Sequence, residues 1–260
     1  MRITVITGAS NGIGLAAAQL FQTKGDKVYC LSRTPCPDSR VVSIPCDITI
    51  DEDVLHAVQC IVKNEAKIDV LICNAGFGIS GAVEFTDIDL AKKQFDVNFF
   101  GNMNVMRHVL PIMRRQHSGH IIVTSSVAGM LSIPFQAYYS ASKAALNSLV
   151  LATANEVRNA GIKVAAILPG DIQTGFTAAR TKLEEGEESY TSLKKSVASM
   201  ERDEQNGMPP IAIAKAMYRV STRKSPKPLS SVGIKYKACC FLGKVLPSRL
   251  SNWIVGKMYS

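Results

Sequence analysis

Tyr139 and Lys143 stand four residues apart in YSASK, a stretch otherwise made of small residues. On a helix, positions i and i+4 share a face, with Cβ atoms about 5–6 Å apart, so a phenol lies beside an ammonium. Such a pair is either an ordinary surface contact or a tuned proton donor. Reducing a carbonyl by hydride requires a proton at the oxygen as it becomes an alkoxide. A free phenol, with a pKa of about 10, is a sluggish base for the reverse oxidation. An ammonium about 4 Å away favours the phenolate by roughly 4 kcal/mol at an effective dielectric near 20. At about 1.4 kcal/mol per unit, that lowers the phenol's pKa by up to about three, before desolvation offsets part of it. The spacing therefore predicts Tyr139 as the acid and base, with Lys143 acidifying it. Tyr138 does not fit, because the residue four positions on is Ser142.

A second chemical signal is TGASNGIG, with glycines at 8, 12 and 14 directly after the apolar run ITVIT. Glycine lets backbone N–H groups approach a pyrophosphate that a Cβ would keep away, and a helix N-terminus adds favourable partial charge. Gly8, Ser10, Asn11, Gly12, Ile13 and Gly14 are the expected cradle of a dinucleotide. The spacing G-x-x-x-G-x-G differs from the common G-x-G-x-x-G fingerprint.

These residues need a scaffold. ITVITG, KVYCLS, VVSIPC, VLICNAG, HIIVTSS and KVAAILPG are short, rich in β-branched residues and punctuated by turns. Segments of helical length and period, such as GIGLAAAQLFQTKGD and LAKKQFDVNFFGNMNVMRHVLPIMRR, lie between most of them. Apolar strands alternating with helices predict an α/β fold, a doubly wound parallel sheet covered on both faces. Ligands then bind beyond the carboxyl ends of the strands. Six strands are placed by Pro169 and a seventh is expected in SSVGIKY near 230–236, so residues 1–260 read as one Rossmann-type domain of about seven strands. The polar stretch 175–210 fits the sheet poorly and is expected to be a helical excursion or mobile lid over the site.

Composition narrows the class. The chain has 260 residues, 47% of them apolar, enough for a sizeable core. It contains no run of 18 apolar residues that would cross a membrane, and MRITVITGAS reads as a first strand, not a signal peptide. The seven cysteines show no zinc spacing, so no metal is expected, and reduced thiols suit a cytoplasmic protein. Residues 1–189 carry 17 basic and 18 acidic side chains, a net −1; residues 190–260 carry 13 and 3, a net +10. The basic excess belongs to the tail. Nucleic-acid binding is not expected, because no aromatic interleaving or reading helix accompanies the charge.

With these motifs in their order, the chain resembles the short-chain dehydrogenase/reductase family over residues 1 to about 180. TGASNGIG resembles the family's cofactor loop, and CNAG (73–76) its NNAG with Cys73 for the first Asn. VNFFG supplies Asn98, TSSVAG Ser126, and PGDIQT (169–174) the PG-x-x-x-T pattern. The resemblance implies hydride transfer between a nicotinamide cofactor and an alcohol or carbonyl. It gives Ser126 the role of holding the substrate oxygen, Ser125 being the alternative, and Asn98 that of holding a relay water to Lys143. It adds Asn74, Ala75, Gly76, Ile48, Pro169, Gly170, Ile172 and Thr174 to the cofactor contacts, together with Tyr139 and Lys143. Asp47 resembles the family's contact to the adenine amino group, unless it only forms a turn.

At the end of KVYCLSRT stand Ser32 and Arg33 with no acid beside them. A carboxylate there would favour NAD, and an Arg accommodates the 2′-phosphate of NADP(H), so NADP(H) is the expected cofactor. Phe77, Ile79, Met130, Leu131, Phe135 and Phe176 are expected at the substrate end with Ser126 and Tyr139. Such an apolar lining suits a lipophilic ketone or alcohol of steroid, retinoid or acyl type, and SVAGMLSIPFQAYYSASK is similar to hydroxysteroid and retinol dehydrogenase members. The apolar helix ASKAALNSLVLATANEV, through which the family commonly pairs subunits, implies a homodimer or homotetramer. FLGKVLPSRLSNWIVGKMYS, in the tail 238–260, admits three readings: a lip over the pocket, a peripheral membrane contact, or a packed terminal helix. A non-catalytic NADP(H)-binding regulator is the alternative from another class; intact Ser126, Tyr139 and Lys143 argue for the enzyme.

Overall fold

Every residue of ITVIT is apolar or β-branched, and a strand points successive side chains to opposite faces. Such a strand needs cover on both sides. The computed structural model, which describes residues 1–259, supplies it. In chain order the first elements are β1 (Ile3–Thr7), α1 (Gly12–Thr23), β2 (Lys27–Ser32), β3 (Val42–Pro45), α2 (Asp51–Glu65) and β4 (Val70–Cys73). Then come β5 (Ile79–Ser80), α3 (Ile88–Phe95), α4 (Asn102–Gln116), β6 (Gly119–Thr124), α5 (Ala137–Glu156) and β7 (Ile162–Leu168). The chain closes with α6 (Phe176–Ala179), β8 (Thr181–Lys182), α7 (Leu193–Gln205), α8 (Pro210–Ser221), β9 (Leu229–Ser231), α9 (Ile234–Val245) and α10 (Ser248–Met258).

Seven strands form one parallel sheet in the order β3-β2-β1-β4-β6-β7-β9. Winding runs outward from β1 through β2 and β3, then restarts at β4 on the other side, with Ile6 flanked by Cys30 and Ile72. This is the Rossmann-type doubly wound sheet that the sequence predicts. Val5, Leu71, Ile121 and Val123 face α2, α4 and α5, where Val54, Val109 and Leu146 complete one core. The alternating residues Ile6, Ile72 and Ile122 face α1 and α8, packing with Phe21, Ile213 and Met217. Each fully buried side chain of this size contributes roughly 1.5–3 kcal/mol. The sheet edges are short: β3 ends at Pro45 and β9 has three residues, which limits unwanted strand pairing.

Two boundaries differ from the sequence reading. SSVGIKY is not one strand: pairing stops at Ser231, Gly233 takes a left-handed φ of 88°, and Ile234 opens α9. The long helix read over 90–115 is divided by a π-helical turn at Asp96–Gly101. The stretch 175–210 contains α6, β8 and α7, and β8 pairs in parallel with β5 (Ile79 beside Thr181), which ties this excursion to the loop after β4. Among the described residues no helix is long and apolar enough to cross a membrane.

Candidate active site

The sheet reverses its winding between β1 and β4, and the loops at their carboxyl ends part there. A cavity of about 680 Å³ fills the gap. Gly8 leaves β1 with φ 67°, a conformation costly for any residue with a Cβ. At Gly14 a Cβ would stand 2.2 Å from the Gly8 carbonyl oxygen, so only glycine lets α1 pack this close. Asn11 makes no side-chain bond to the helix it precedes, and the first turn of α1 has no acidic residue. The first N–H groups of α1 are therefore available to an anionic group beside Asn11, Gly12 and Ile13, which line the cavity. These features fit the pyrophosphate of a dinucleotide.

Asn74 locks the loop after β4. Its side-chain amide donates to the carbonyls of Thr7 and Gly8, both at 3.2 Å, and accepts from the Thr124 hydroxyl at 3.2 Å. Three strand ends are thereby held in register. Cys73, where the resembled motif has another Asn, is buried beneath this layer with its thiol pushed up by burial.

α5 carries Tyr139 and Lys143 on the face turned to the cavity. The Lys143 ammonium is buried and donates to the Thr124 carbonyl at 2.9 Å; it lies 5.7 Å from the centroid of the Tyr139 ring. Ser126 caps a short 3₁₀ turn, its hydroxyl accepting from the Ala128 N–H at 3.1 Å and lying within hydrogen-bonding reach of the phenol. Ser125 turns inward and donates to the Lys143 carbonyl at 3.2 Å, so of the two serines Ser126 is the one positioned toward Tyr139.

Electrostatics correct one expectation. Burial pushes the Tyr139 phenol up to about 12, against the Ser126 hydrogen bond and the Arg180 charge. Burial pushes the Lys143 ammonium down to about 8. Lys143 is buried and Tyr139 half-buried beside the cavity, and loss of water from each charged form acts against its ionisation. In the protein alone the phenol thus lies above its ordinary value, where the spacing predicts it lowered, and is held as a proton donor.

At the adenosine end, Ser32, Arg33, Asp47 and Ile48 line the cavity. The Arg33 side chain is 78% exposed and stands 4.0 Å from Asp47. Burial pushes the Asp47 carboxyl up, but the Thr49 N–H and hydroxyl, at 3.0 and 2.7 Å, and then Arg33 hold it below the usual range. One carboxylate oxygen therefore forms the turn, while the other faces Arg33.

The opposite end contains Ser126, Phe77, Leu131 and Phe176, with the Phe176 ring 5.7 Å from that of Tyr139. Sequence reasoning missed the charged pair behind it. Arg180, buried, ion-pairs with Glu204 and lies 5.6 Å over the Phe176 ring; Thr177 donates to the other Glu204 oxygen at 2.6 Å. Glu204 lines the cavity. Among the described residues, the Nε and Nη1 of Arg180 have no hydrogen-bond partner.

Of the expected contacts, Ala75, Gly76, Pro169, Gly170, Ile172 and Thr174 also line the cavity. Met130, Phe135 and Ile79 do not. Met130 packs against the core, Phe135 meets Tyr190 at 6.0 Å and Ile79 is tied into β5. Asn98, in the π-helical turn, is fully buried and lies behind Gly76, which lines the cavity. Its amide binds the Phe77 N–H and carbonyl at 2.9 and 3.0 Å and reaches Ser142 at 3.2 Å. Its side chain thus fastens the Phe77 loop to α5. The C-terminal helices also reach the cavity, through Cys239, Val255 and Met258.

Residues 2–185 match the family described as short chain dehydrogenase. The 3-ketodihydrosphingosine reductase of Bacteroides thetaiotaomicron is 37% identical over 261 residues, 99% of this chain and 94% of that protein. The crystal structure of a short-chain dehydrogenase from Streptomyces avermitilis is similar, with a TM-score of 0.85 at 27% identity, covering 98% of this chain and 96% of the other. A short chain dehydrogenase/reductase from Burkholderia phymatum in complex with NAD gives a TM-score of 0.80 at 25% identity over 93% and 92%.

Proposed function

Since the chain belongs to the short-chain dehydrogenase family, we propose that it is an NADP(H)-dependent reductase of lipophilic ketones, with Tyr139 as the proton donor. The observation that carries this reading is the cluster of half-buried Ser126 and Tyr139 with buried Lys143 on the wall of the cleft that the glycine loop also borders. A bound nicotinamide would supply or accept the hydride; it would be held by the Gly8–Gly14 loop, Asn74, Lys143 and Thr174. Tyr139, protonated at neutral pH, gives its proton to the substrate oxygen as charge develops there. Ser126 steadies that oxygen with its hydroxyl. Lys143 holds the cofactor and favours the phenolate left behind. Asn98 acts through the Phe77 loop, positioning this group.

The substrate we favour is a ketone on a long alkyl chain, as in the name of the Bacteroides relative. The apolar side chains of Leu131, Phe176, Val255 and Met258 suit the chain, and Glu204, aimed by Arg180 and Thr177, suits a polar donor near the carbonyl. Loss of NADPH absorbance against 3-ketodihydrosphingosine, steroid ketones, retinal and small aromatic carbonyls tests this. The reading expects the long-chain ketone to be turned over best; a preference for small carbonyls would refute it.

Arg33 and the absence of a carboxylate at the end of β2 support NADP(H). Charge-assisted hydrogen bonds contribute about 1.5–3 kcal/mol. Arg33→Asp is therefore expected to raise KM for NADPH by roughly 10–100-fold and to change KM for NADH little. Equal effects on both cofactors would remove the argument.

A further inference from the structure

α9 and α10 turn their two faces to different surroundings. Inward, Cys239, Val255 and Met258 line the catalytic cleft. Outward, Ile234, Phe241 and Val245 follow one another along α9, 86%, 64% and 57% exposed. Leu250, Trp253 and Ile254 do the same on α10, with Trp253 59% exposed. Met258 belongs to both faces: it is exposed and also borders the cleft. Isolated apolar side chains on a surface are ordinary, but a contiguous set marks an interaction site.

Charge indicates the occupant. Lys237, Lys244, Arg249 and Lys257 are all exposed on these two helices, and no Asp or Glu follows Glu204 in the chain; Lys235 instead borders the cleft and pairs with Asp171. A second copy meeting this face about a twofold axis would bring the same cations against each other. Short helices with one apolar face flanked by Lys and Arg match a membrane interface that carries negative charge. We propose that the outer faces of α9 and α10 dock on an anionic lipid surface, which sets the lip of the cleft against the bilayer. A lipophilic substrate then passes from lipid to Tyr139 without crossing bulk water. That last step rests on the proposed substrate class; the docking itself does not.

Trp253 is the only tryptophan and reports docking directly, with neither cofactor nor substrate present. Phosphatidylcholine vesicles containing one part in three of phosphatidylserine are expected to shift its emission to shorter wavelength and to co-sediment the protein. Phosphatidylcholine alone is expected to do neither. Phe241→Ser with Val245→Ser, both at exposed positions, should weaken binding at least tenfold while leaving the circular dichroism spectrum unchanged. Lys244→Glu with Arg249→Glu should remove the preference for anionic vesicles, and covers the case in which the first variant fails to fold. An emission spectrum of the native protein unmoved by anionic vesicles overturns the proposal. So does equal binding to neutral vesicles, or a lower mass for the serine variant in light scattering, which would make this face a subunit contact. Because the readout needs no turnover, it fails or succeeds separately from the catalytic reading.

Discussion

Lys143 shows what a desolvated cation costs at a single residue. The residue is 4% exposed, and burial moves its pKa from 10.5 to about 8. Between those values the unfolded chain holds a proton that the folded one has released, so stability rises with pH across that window. Below about 8 the full penalty is present, roughly 3 kcal/mol at about 1.4 kcal/mol per unit, offset by about 1.5–3 kcal/mol from the charge-assisted bond to Thr124. Lys143→Met is therefore expected to abolish turnover yet leave stability at pH 7 unchanged or raised by up to about 1.5 kcal/mol. Any gain should fade as the pH approaches 10.5. Urea unfolding at several pH values checks this; a variant less stable than the parent at pH 7 contradicts it. The Tyr139–Lys143 pair was legible because a four-residue spacing has a chemical meaning on a helix, whereas Ser126 was offered only by the family resemblance. Arg180 and Glu204 were not legible, because they lie 24 residues apart, and either type alone reads as surface. Only the return of α7 over α6 brings them together.

At the scale of elements, the close approach of α1 to the ends of β1 and β4 is the feature on which cofactor binding depends. Gly14→Ala places a Cβ 2.2 Å from the Gly8 oxygen and 2.6 Å from the Asn74 amide. Overpacking of this kind costs about 1–3 kcal/mol, and α1 can relieve it only by moving its N-terminus. Thermal unfolding should show the loss of stability, and titration with NADPH should show affinity lowered at least tenfold. Gly175→Ala, where no atom lies within 4 Å of the added Cβ, is the matching control. Equal stability and affinity in the two variants would contradict the role given to Gly14. The core strands were readable because a strand buried on both faces has no polar alternation to obscure it. SSVGIKY misled because its apolar residues continue past a left-handed glycine that turns strand into helix, and hydrophobicity does not register φ.

For the whole molecule, subunit pairing and the tail remain to be placed. Leu151 of α5 and Phe100, just before α4, are exposed apolar side chains outside the sheet core, consistent with the pairing that the family resemblance implies. A light-scattering mass of two or four chains is expected; a mass near 28.1 kDa would refute it. The charge imbalance of the last seventy residues was plain from counting. That α9 and α10 close over the carboxyl ends of the strands was not, because tertiary docking of a terminal helix leaves no periodic signal beyond its amphipathicity.

The central claim is that Tyr139 delivers the proton at a nicotinamide site, and Tyr139→Phe tests it most directly. Turnover of a ketone substrate and NADPH affinity are measured side by side in the parent and the variant. The account predicts a fall in kcat of about 10²–10⁴-fold with NADPH affinity within a factor of about two. A phenylalanine variant that keeps the parent's turnover would contradict it.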